Sequence, residues 1–139
     1  MNNIKCVKIA YVNFWKDTDN DKYLSEFIKQ FVNIEHVEYN CNPDILISSC
    51  NGNFSIDQVA KIDSKIKIFF TGENLNRFPH FNNQKKLHQT FDIILGFNKT
   101  DMSKNILRFP LWLIYYSFYS WDDKNNILNL FFSFSHYKI

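Results

Sequence analysis

The sequence predicts an α/β fold, a three-layer sandwich with a mainly parallel sheet. Short apolar, strand-like segments alternate with helical or polar segments along the 139 residues, which is the pattern of successive strand–helix–strand units. Hydrophobic residues make up 45% of the chain and aromatic residues 18%, enough to cover both faces of such a sheet. We expect residues 1–120 to form one domain and residues 121–139 to form a less patterned tail.

The first half of the chain contains three predicted strands and one predicted helix. The segment from Ile4 to Val12 ends in the continuous apolar run of a buried strand. Apolar residues between Tyr23 and Val32 recur at the i, i+3, i+4, i+7 spacing of an amphipathic helix. Two short strands are predicted over 35–39 and 44–49, separated by a turn that ends at Pro43.

The second half continues the alternation. Ser55 and Gln58 form a capping-box pattern, which predicts the start of a short helix. Strands are predicted at Ile66–Phe70, which stops before Gly72, and at Phe91–Leu95. A last helix is predicted from Leu111 to about Phe118, because Pro110 precedes it.

Composition excludes several classes of function. Sixteen Lys and Arg are interspersed with 14 Asp and Glu, so no basic stripe is available for a nucleic acid or an anionic membrane. Three cysteines without a C-x-x-C pair argue against a disulfide framework and a zinc site. No metal site and no phosphate-binding glycine loop are expected. The segment Leu111–Trp121 is too short to span a membrane, and without a signal peptide a cytoplasmic location is the default expectation.

Glu73 is the candidate catalytic residue that the pattern offers. It follows the predicted strand Ile66–Phe70 within the sequence Thr71-Gly-Glu-Asn74, and ligands of parallel α/β folds gather at the carboxyl ends of strands. A carboxylate there could act as a general base. Gly and Asn are also ordinary turn residues, so a solvated loop without catalytic function is the alternative that the residues alone leave open.

Four segments together resemble the family-10 α-1,3-fucosyltransferases. They are Lys8-Ile-Ala-Tyr-Val-Asn-Phe-Trp15, Lys67-Ile-Phe-Phe-Thr-Gly-Glu-Asn74, Phe91-Asp-Ile-Ile-Leu-Gly-Phe97 and Leu107-Arg-Phe-Pro-Leu-Trp112. The resemblance implies the Rossmann-like, acceptor-side half of a GT-B-type two-domain enzyme. Such enzymes transfer L-fucose from GDP-fucose to a hydroxyl of a glycan acceptor with inversion. Glu73 matches the family's base.

The resemblance also indicates candidate residues for binding the acceptor. Asn74, beside Glu73, is a candidate acceptor-binding residue, and Trp15 and Trp112 could form a sugar platform, although packing in the core is the alternative for both tryptophans. We expect Arg108 to form a structural ion pair, with Asp92 as the candidate partner. His80 and His88 are expected to be exposed loop residues without metal-ligand spacing.

The family's donor-binding half has no counterpart after Phe118, so we expect the chain alone to be inactive. Its expected partners are a glycan acceptor and a donor-binding domain in trans, or a second copy through an exposed apolar face around Ile127–Phe134. One alternative is a non-catalytic carbohydrate-binding or interaction module. Another is a flavodoxin-like domain, but Asn13-Phe-Trp15 is neither the acidic nor the glycine-rich loop that such a domain needs after its first strand.

Overall fold

The computed structural model describes residues 6–15, 24–96 and 105–109. Six strands of this part form one sheet in the order β2-β1-β3-β4-β5-β6, and every neighbouring pair is parallel. The strands are β1 Val7–Val12, β2 Ile34–His36, β3 Ile45–Ser48, β4 Ile66–Phe70, β5 Ile93–Gly96 and β6 Ile106–Arg108. The predicted α/β class with a parallel sheet is confirmed, and β4 lies in the interior of the sheet as expected.

Helices cover both faces of the sheet. They are α1 Leu24–Ile28, α2 Ile56–Ala60 and α3 Gln84–Thr90, with a 3₁₀ turn at Leu75–Arg77. Buried side chains of α2 and α3 belong to one hydrophobic cluster with one face of the sheet. Leu24 of α1 belongs to a second cluster on the opposite face. The described part of the chain is therefore a three-layer sandwich with a hydrophobic core on each face of the sheet.

Strand β4 supplies a large side chain to each core. Phe69 packs on the α2–α3 side, with its ring centroid 5.4 Å from that of Phe81 and 5.1 Å from that of Phe91. Phe70 points to the other face, where its ring stacks on Phe14 at 6.3 Å. Both are fully buried, and each burial contributes about 1.5–3 kcal/mol. Because successive side chains of a β-strand point to opposite faces, Phe69 and Phe70 fix the end of β4 in both cores. The loop that contains Glu73 begins at this end.

The largest departures from the predicted elements concern β2, α1, α3 and β6. Strand β2 ends at His36, before the predicted end at residue 39. Helix α1 ends at Ile28, before the predicted end at Val32, and Phe31 is 49% exposed. The Phe31 N–H donates to the Ile28 carbonyl, which is the 3₁₀-type hydrogen bond that commonly ends a helix. Helix α3 and strand β6 were not predicted at all. The predicted helix 111–118, the tail 121–139 and the apolar segment 127–134 lie outside the described residues.

Candidate functional site

The loop after β4 is folded by Thr71. Its N–H donates to the Leu95 carbonyl at 3.0 Å, which extends the pairing with β5 by one residue. Its Oγ1 accepts a hydrogen bond from the Glu73 N–H at 2.9 Å. This side-chain turn reverses the chain immediately after the strand. Glu73 is therefore held at the carboxyl end of β4 through its own backbone.

A cleft of about 520 Å³ opens at this end of the sheet, between the strands β4 to β6 and helix α3. Its volume lies within the range of small-molecule sites. Leu75, Leu87, Ile94 and Ile106 form the apolar part of the lining. The other lining residues follow β4, end β5 or lie on α3: Thr71, Gly72, Glu73, Asn74, Asn76, Gln84, His88 and Gly96. The cleft thus combines an apolar part with a carboxylate, an imidazole and several amides.

Glu73 is half-buried in this lining. Among the described residues no lysine or arginine forms an ion pair with it, whereas Lys29, Lys65 and Lys86 pair with carboxylates elsewhere. A carboxylate without a cationic partner keeps its lone pairs available to a ligand. Chemically, it can accept a hydrogen bond from a bound hydroxyl and then take its proton.

Cys50 lies behind the Glu73 loop. Its Sγ is 3.5 Å from Thr71 Oγ1, the same atom that receives the Glu73 N–H. Burial is the largest cause that raises the pKa of the Cys50 thiol, and the negative charge of Glu73 raises it further. The hydrogen bond with Thr71 acts in the opposite direction. The thiol is therefore held in its protonated form, and its contact with Thr71 supports the loop that carries Glu73.

Asn74 begins the 3₁₀ turn that borders the cleft. Its Oδ1 accepts a hydrogen bond from the Asn76 N–H at 3.1 Å, which fixes the side chain by its oxygen. The Nδ2 donor has no partner among the described residues. Asn74 lines the same cleft as Glu73, so the structure brings these two predicted site residues together.

The two tryptophans are not brought to this cleft by the described structure. Trp15 packs, half-buried, against the second core, with its ring 6.4 Å from that of Phe14, and it is not part of the cleft lining. Trp112 lies outside the described residues. A contact between either tryptophan and an acceptor stays a prediction.

The expected ion pair between Arg108 and Asp92 is not formed. Asp92 precedes β5, and its Oδ2 accepts a hydrogen bond from the Lys67 N–H at 2.8 Å. Arg108 ends β6 and is exposed. In a parallel sheet, the start of one strand and the end of its neighbour lie at opposite ends of the strands. The side chains of Asp92 and Arg108 therefore face different ends of the sheet.

His88 is a site residue that the sequence analysis missed. It was expected in an exposed loop, but it lies in the last turn of α3, is half-buried and lines the cleft. Its Nδ1 is 2.9 Å from Asn105 Oδ1. A sequence signal existed for the helix, because Asn83 caps it by accepting a hydrogen bond from the Lys86 N–H.

The described residues contain neither a metal-binding cluster nor a membrane-spanning helix. Within residues 6–15, 24–96 and 105–109, no group of three or more His, Cys, Asp or Glu side chains is placed to hold a metal ion. In the same ranges, no helix has the length and apolar character needed to cross a membrane.

Comparison with known proteins identifies the domain. The family model described as "Alpha-(1,3)-fucosyltransferase FucT N-terminal domain" matches residues 9–115, which include most of β1, all of β2 to β6, the Glu73 loop and the cleft. No curated protein and no solved structure matched the chain in the corresponding comparisons. The matched segment covers most of the 139 residues. The chain belongs to the alpha-(1,3)-fucosyltransferase N-terminal domain family.

Proposed function

We propose that this chain supplies the acceptor side of an inverting, GDP-fucose-dependent α-1,3-fucosyltransferase that acts on glycans, with Glu73 as its general base. The observation that carries the proposal is the position of Glu73, in the lining of a cleft at the carboxyl end of β4. Membership of the fucosyltransferase N-terminal domain family supports the same class of chemistry.

The proposed step is a single displacement. A hydroxyl oxygen of the acceptor forms a bond to C1 of fucose while the bond between C1 and the GDP oxygen breaks, so the configuration at C1 inverts. The hydroxyl proton passes to the Glu73 carboxylate, and GDP leaves with the bonding electrons. An alcohol needs such a base because it is a poor nucleophile while its proton is in place.

The proposed acceptor is a glycan, because the cleft offers hydrogen-bonding groups suited to hydroxyls. Asn74, Asn76 and Gln84 contribute amides beside the carboxylate, and amides both donate and accept hydrogen bonds. The proposed partner is a donor-binding domain that faces the cleft at the carboxyl ends of the strands, as in a GT-B-type arrangement. Such a domain would bring C1 of fucose to the hydroxyl at Glu73.

The test uses the 139-residue chain together with a donor-binding domain, supplied as a separate protein or in one longer polypeptide. Transfer is measured as release of GDP and formation of fucosylated glycan. Glu73→Gln should lower kcat by about 10²–10⁴, because the amide keeps the shape of the side chain but cannot take the proton. Acceptor binding should change far less.

The matched control is Glu35→Gln. Glu35 lies on β2, at the edge of the sheet away from the cleft, and is exposed, so its loss should leave kcat unchanged. Transfer that survives Glu73→Gln at the wild-type rate would overturn the assignment of the base.

A non-catalytic carbohydrate-binding module is the second candidate function, and the amide-rich lining of the cleft favours it. It predicts that a glycan binds the chain with similar affinity before and after Glu73→Gln. It also predicts that no GDP is released with any donor-binding domain. Calorimetric titration with glycans, run beside the transfer assay, separates the two functions.

A further inference from the structure

The contact between His88 and Asn105 fixes which nitrogen of the imidazole carries the proton. Asn105 Nδ2 donates a hydrogen bond to the Phe91 carbonyl. A carbonyl oxygen can only accept, so the NH₂ end of the amide must face Phe91. Asn105 Oδ1 therefore faces His88 Nδ1, at 2.9 Å. Because that oxygen also only accepts, Nδ1 must carry the hydrogen and donate it.

Asn105 is well suited to hold this arrangement. Its φ is 51°, in the left-handed region that asparagine tolerates better than most residues. Its backbone carbonyl accepts a hydrogen bond from the Ile94 N–H at 2.9 Å. Backbone and side chain are thus both tied to neighbouring elements. In neutral His88 the free lone pair is consequently on Nε2, and no described residue bonds to that atom.

The residues that anchor Glu73 and His88 lie at different positions along strand β5. Thr71, which holds Glu73, continues the pairing of β4 with β5 beyond Leu95 and lies beside Gly96. Asn105, which holds His88, precedes Ile106 and lies beside Ile93. Ile93 and Gly96 are three residue steps apart, which corresponds to about 10 Å along the strand. Glu73 and His88 therefore line one cleft from anchors at different positions along the strand.

We infer that His88 binds a hydroxyl of the acceptor glycan on a sugar other than the one that presents its hydroxyl to Glu73. This inference rests on the proposed function, since it takes the ligand of the cleft to be a glycan. Nε2 accepts a hydrogen bond from that hydroxyl. Asn105 is a positioning residue, because it acts on the ligand only through the tautomer of His88. Together they make the cleft selective for an acceptor of at least two sugars.

The first test needs no donor and no transfer. The 139-residue chain is labelled with ¹⁵N in its histidines, and the ring nitrogens are observed by long-range NMR correlation at a pH where His88 is neutral. We expect the Nδ1–H form for His88. N-Acetyllactosamine, a disaccharide, should shift the Nε2 resonance of His88, whereas N-acetylglucosamine alone should not. An Nε2–H form, or equal shifts with both sugars, would overturn the inference.

Substitutions give a second, independent readout. His88→Phe keeps the ring shape and should raise the KM for the disaccharide about 2- to 10-fold, the loss expected for one hydrogen bond, with kcat retained. His88→Gln places an amide near the former Nε2 and should restore most of the affinity. Asn105→Gly keeps the left-handed backbone and should mix the tautomers of His88. His80→Phe is the matched control, because His80 is exposed and outside the cleft.

The outcomes distinguish this inference from the proposed function. Transfer that depends on Glu73 but is indifferent to His88→Phe and His88→Gln would overturn the inference and leave the function standing. A disaccharide that shifts His88 in a chain for which no donor domain restores transfer would support the binding site and count against the enzyme. If His88→Phe does not fold, His88→Gln and the NMR titration of the wild-type chain decide.

Discussion

The side-chain amide of Asn13 forms two hydrogen bonds with the backbone of Phe54. Asn13 Oδ1 accepts from the Phe54 N–H at 2.9 Å, and Nδ2 donates to the Phe54 carbonyl at 2.9 Å. The Asn13 carbonyl also accepts a hydrogen bond from the Asn51 N–H at 2.8 Å. These bonds tie the end of β1 to the loop after β3.

This junction occupies a particular place in the topology. The strand order reverses between β1 and β3, and doubly wound sheets usually bind their ligands at such a reversal. Here the buried Asn13 and the loop it holds lie at the reversal, whereas the cleft that contains Glu73 lies beside β4 and α3.

We expect Asn13→Ala to lower the free energy of unfolding by about 2–4 kcal/mol. The two hydrogen bonds with Phe54 are lost, at about 0.5–1.5 kcal/mol each, together with a longer one from Asn13 Nδ2 to Ser48 Oγ at 3.3 Å. Alanine must also adopt the φ of 61° that Asn13 has, which is costly for a residue with a Cβ. Urea denaturation followed by circular dichroism measures the change.

Asn13→Gly separates the two causes. Glycine accepts the left-handed backbone without strain, so this variant should lose only the hydrogen bonds. Its free energy of unfolding should lie between those of the wild type and Asn13→Ala. Equal stability of Asn13→Ala and the wild type would show that the bridge to Phe54 contributes nothing.

Gly52→Ala should destabilise the same junction by steric contact alone. A Cβ at Gly52 would lie 2.5 Å from Asn13 Cα and 2.4 Å from Asn13 Oδ1. Since the Cα cannot move without shifting the end of β1, we expect a loss of at least about 2 kcal/mol in urea denaturation.

Gly96→Ala is the comparison for Gly52→Ala. Its Cβ would lie 3.6 Å from the Thr71 carbonyl oxygen, an ordinary contact, so its cost should be smaller. A larger loss from Gly96→Ala than from Gly52→Ala would contradict the steric argument.

The sequence predicted best those elements whose own residues determine them. The bounds of β4 are Ile66–Phe70, as predicted, because a run of bulky apolar residues that ends at Thr71-Gly72 is typical of a buried strand. The capping box at Ser55 was also predicted and is present. The capping box depends only on neighbours within a few residues. Strand β4 needs its pairing with β3 and β5 to form, but its bounds follow from its own apolar run.

The elements that were missed depend on tertiary contacts. Helix α3 buries only Leu87, so it shows no apolar stripe, and its neighbours Phe81 and Phe91 supply much of the core around it. Strand β6 has three residues, too few for a periodic pattern. His88 could not be placed in the site for the same reason, since packing of α3 against the sheet brings it to the Glu73 cleft.

Ser55→Ala tests how much α2 depends on its local cap. Ser55 Oγ accepts a hydrogen bond from the Gln58 N–H, and Gln58 Oε1 accepts one from the Ser55 N–H. Removal of the hydroxyl should cost about 0.5–2 kcal/mol in urea denaturation. Asp57→Ala is the control, because its ion pair with Lys86 is exposed and such pairs contribute little. A larger effect from Asp57→Ala would contradict the importance of the cap.

The thiol of Cys50 should make stability fall at alkaline pH. Burial raises its pKa in the folded protein, so the folded state keeps a proton that the unfolded state releases at lower pH. The contribution is complete below the pKa of the unfolded thiol and is lost as the pH rises through the folded pKa. Urea denaturation over this range should show a decline that Cys50→Ala reduces. Identical profiles of stability against pH for Cys50→Ala and the wild type would contradict this role of the Cys50 thiol.

The same thiol can report the charge of Glu73. In a background with Cys6→Ser and Cys41→Ser, both exposed in the wild type, Cys50 is the one cysteine left to titrate. The negative charge of Glu73 raises the pKa of Cys50, so Glu73→Gln should shift the thiolate absorbance to lower pH. Glu35→Gln, on the distant strand β2, should leave it in place. A titration curve that is unchanged by Glu73→Gln would mean that the carboxylate does not act on the thiol, and would contradict their proximity across Thr71.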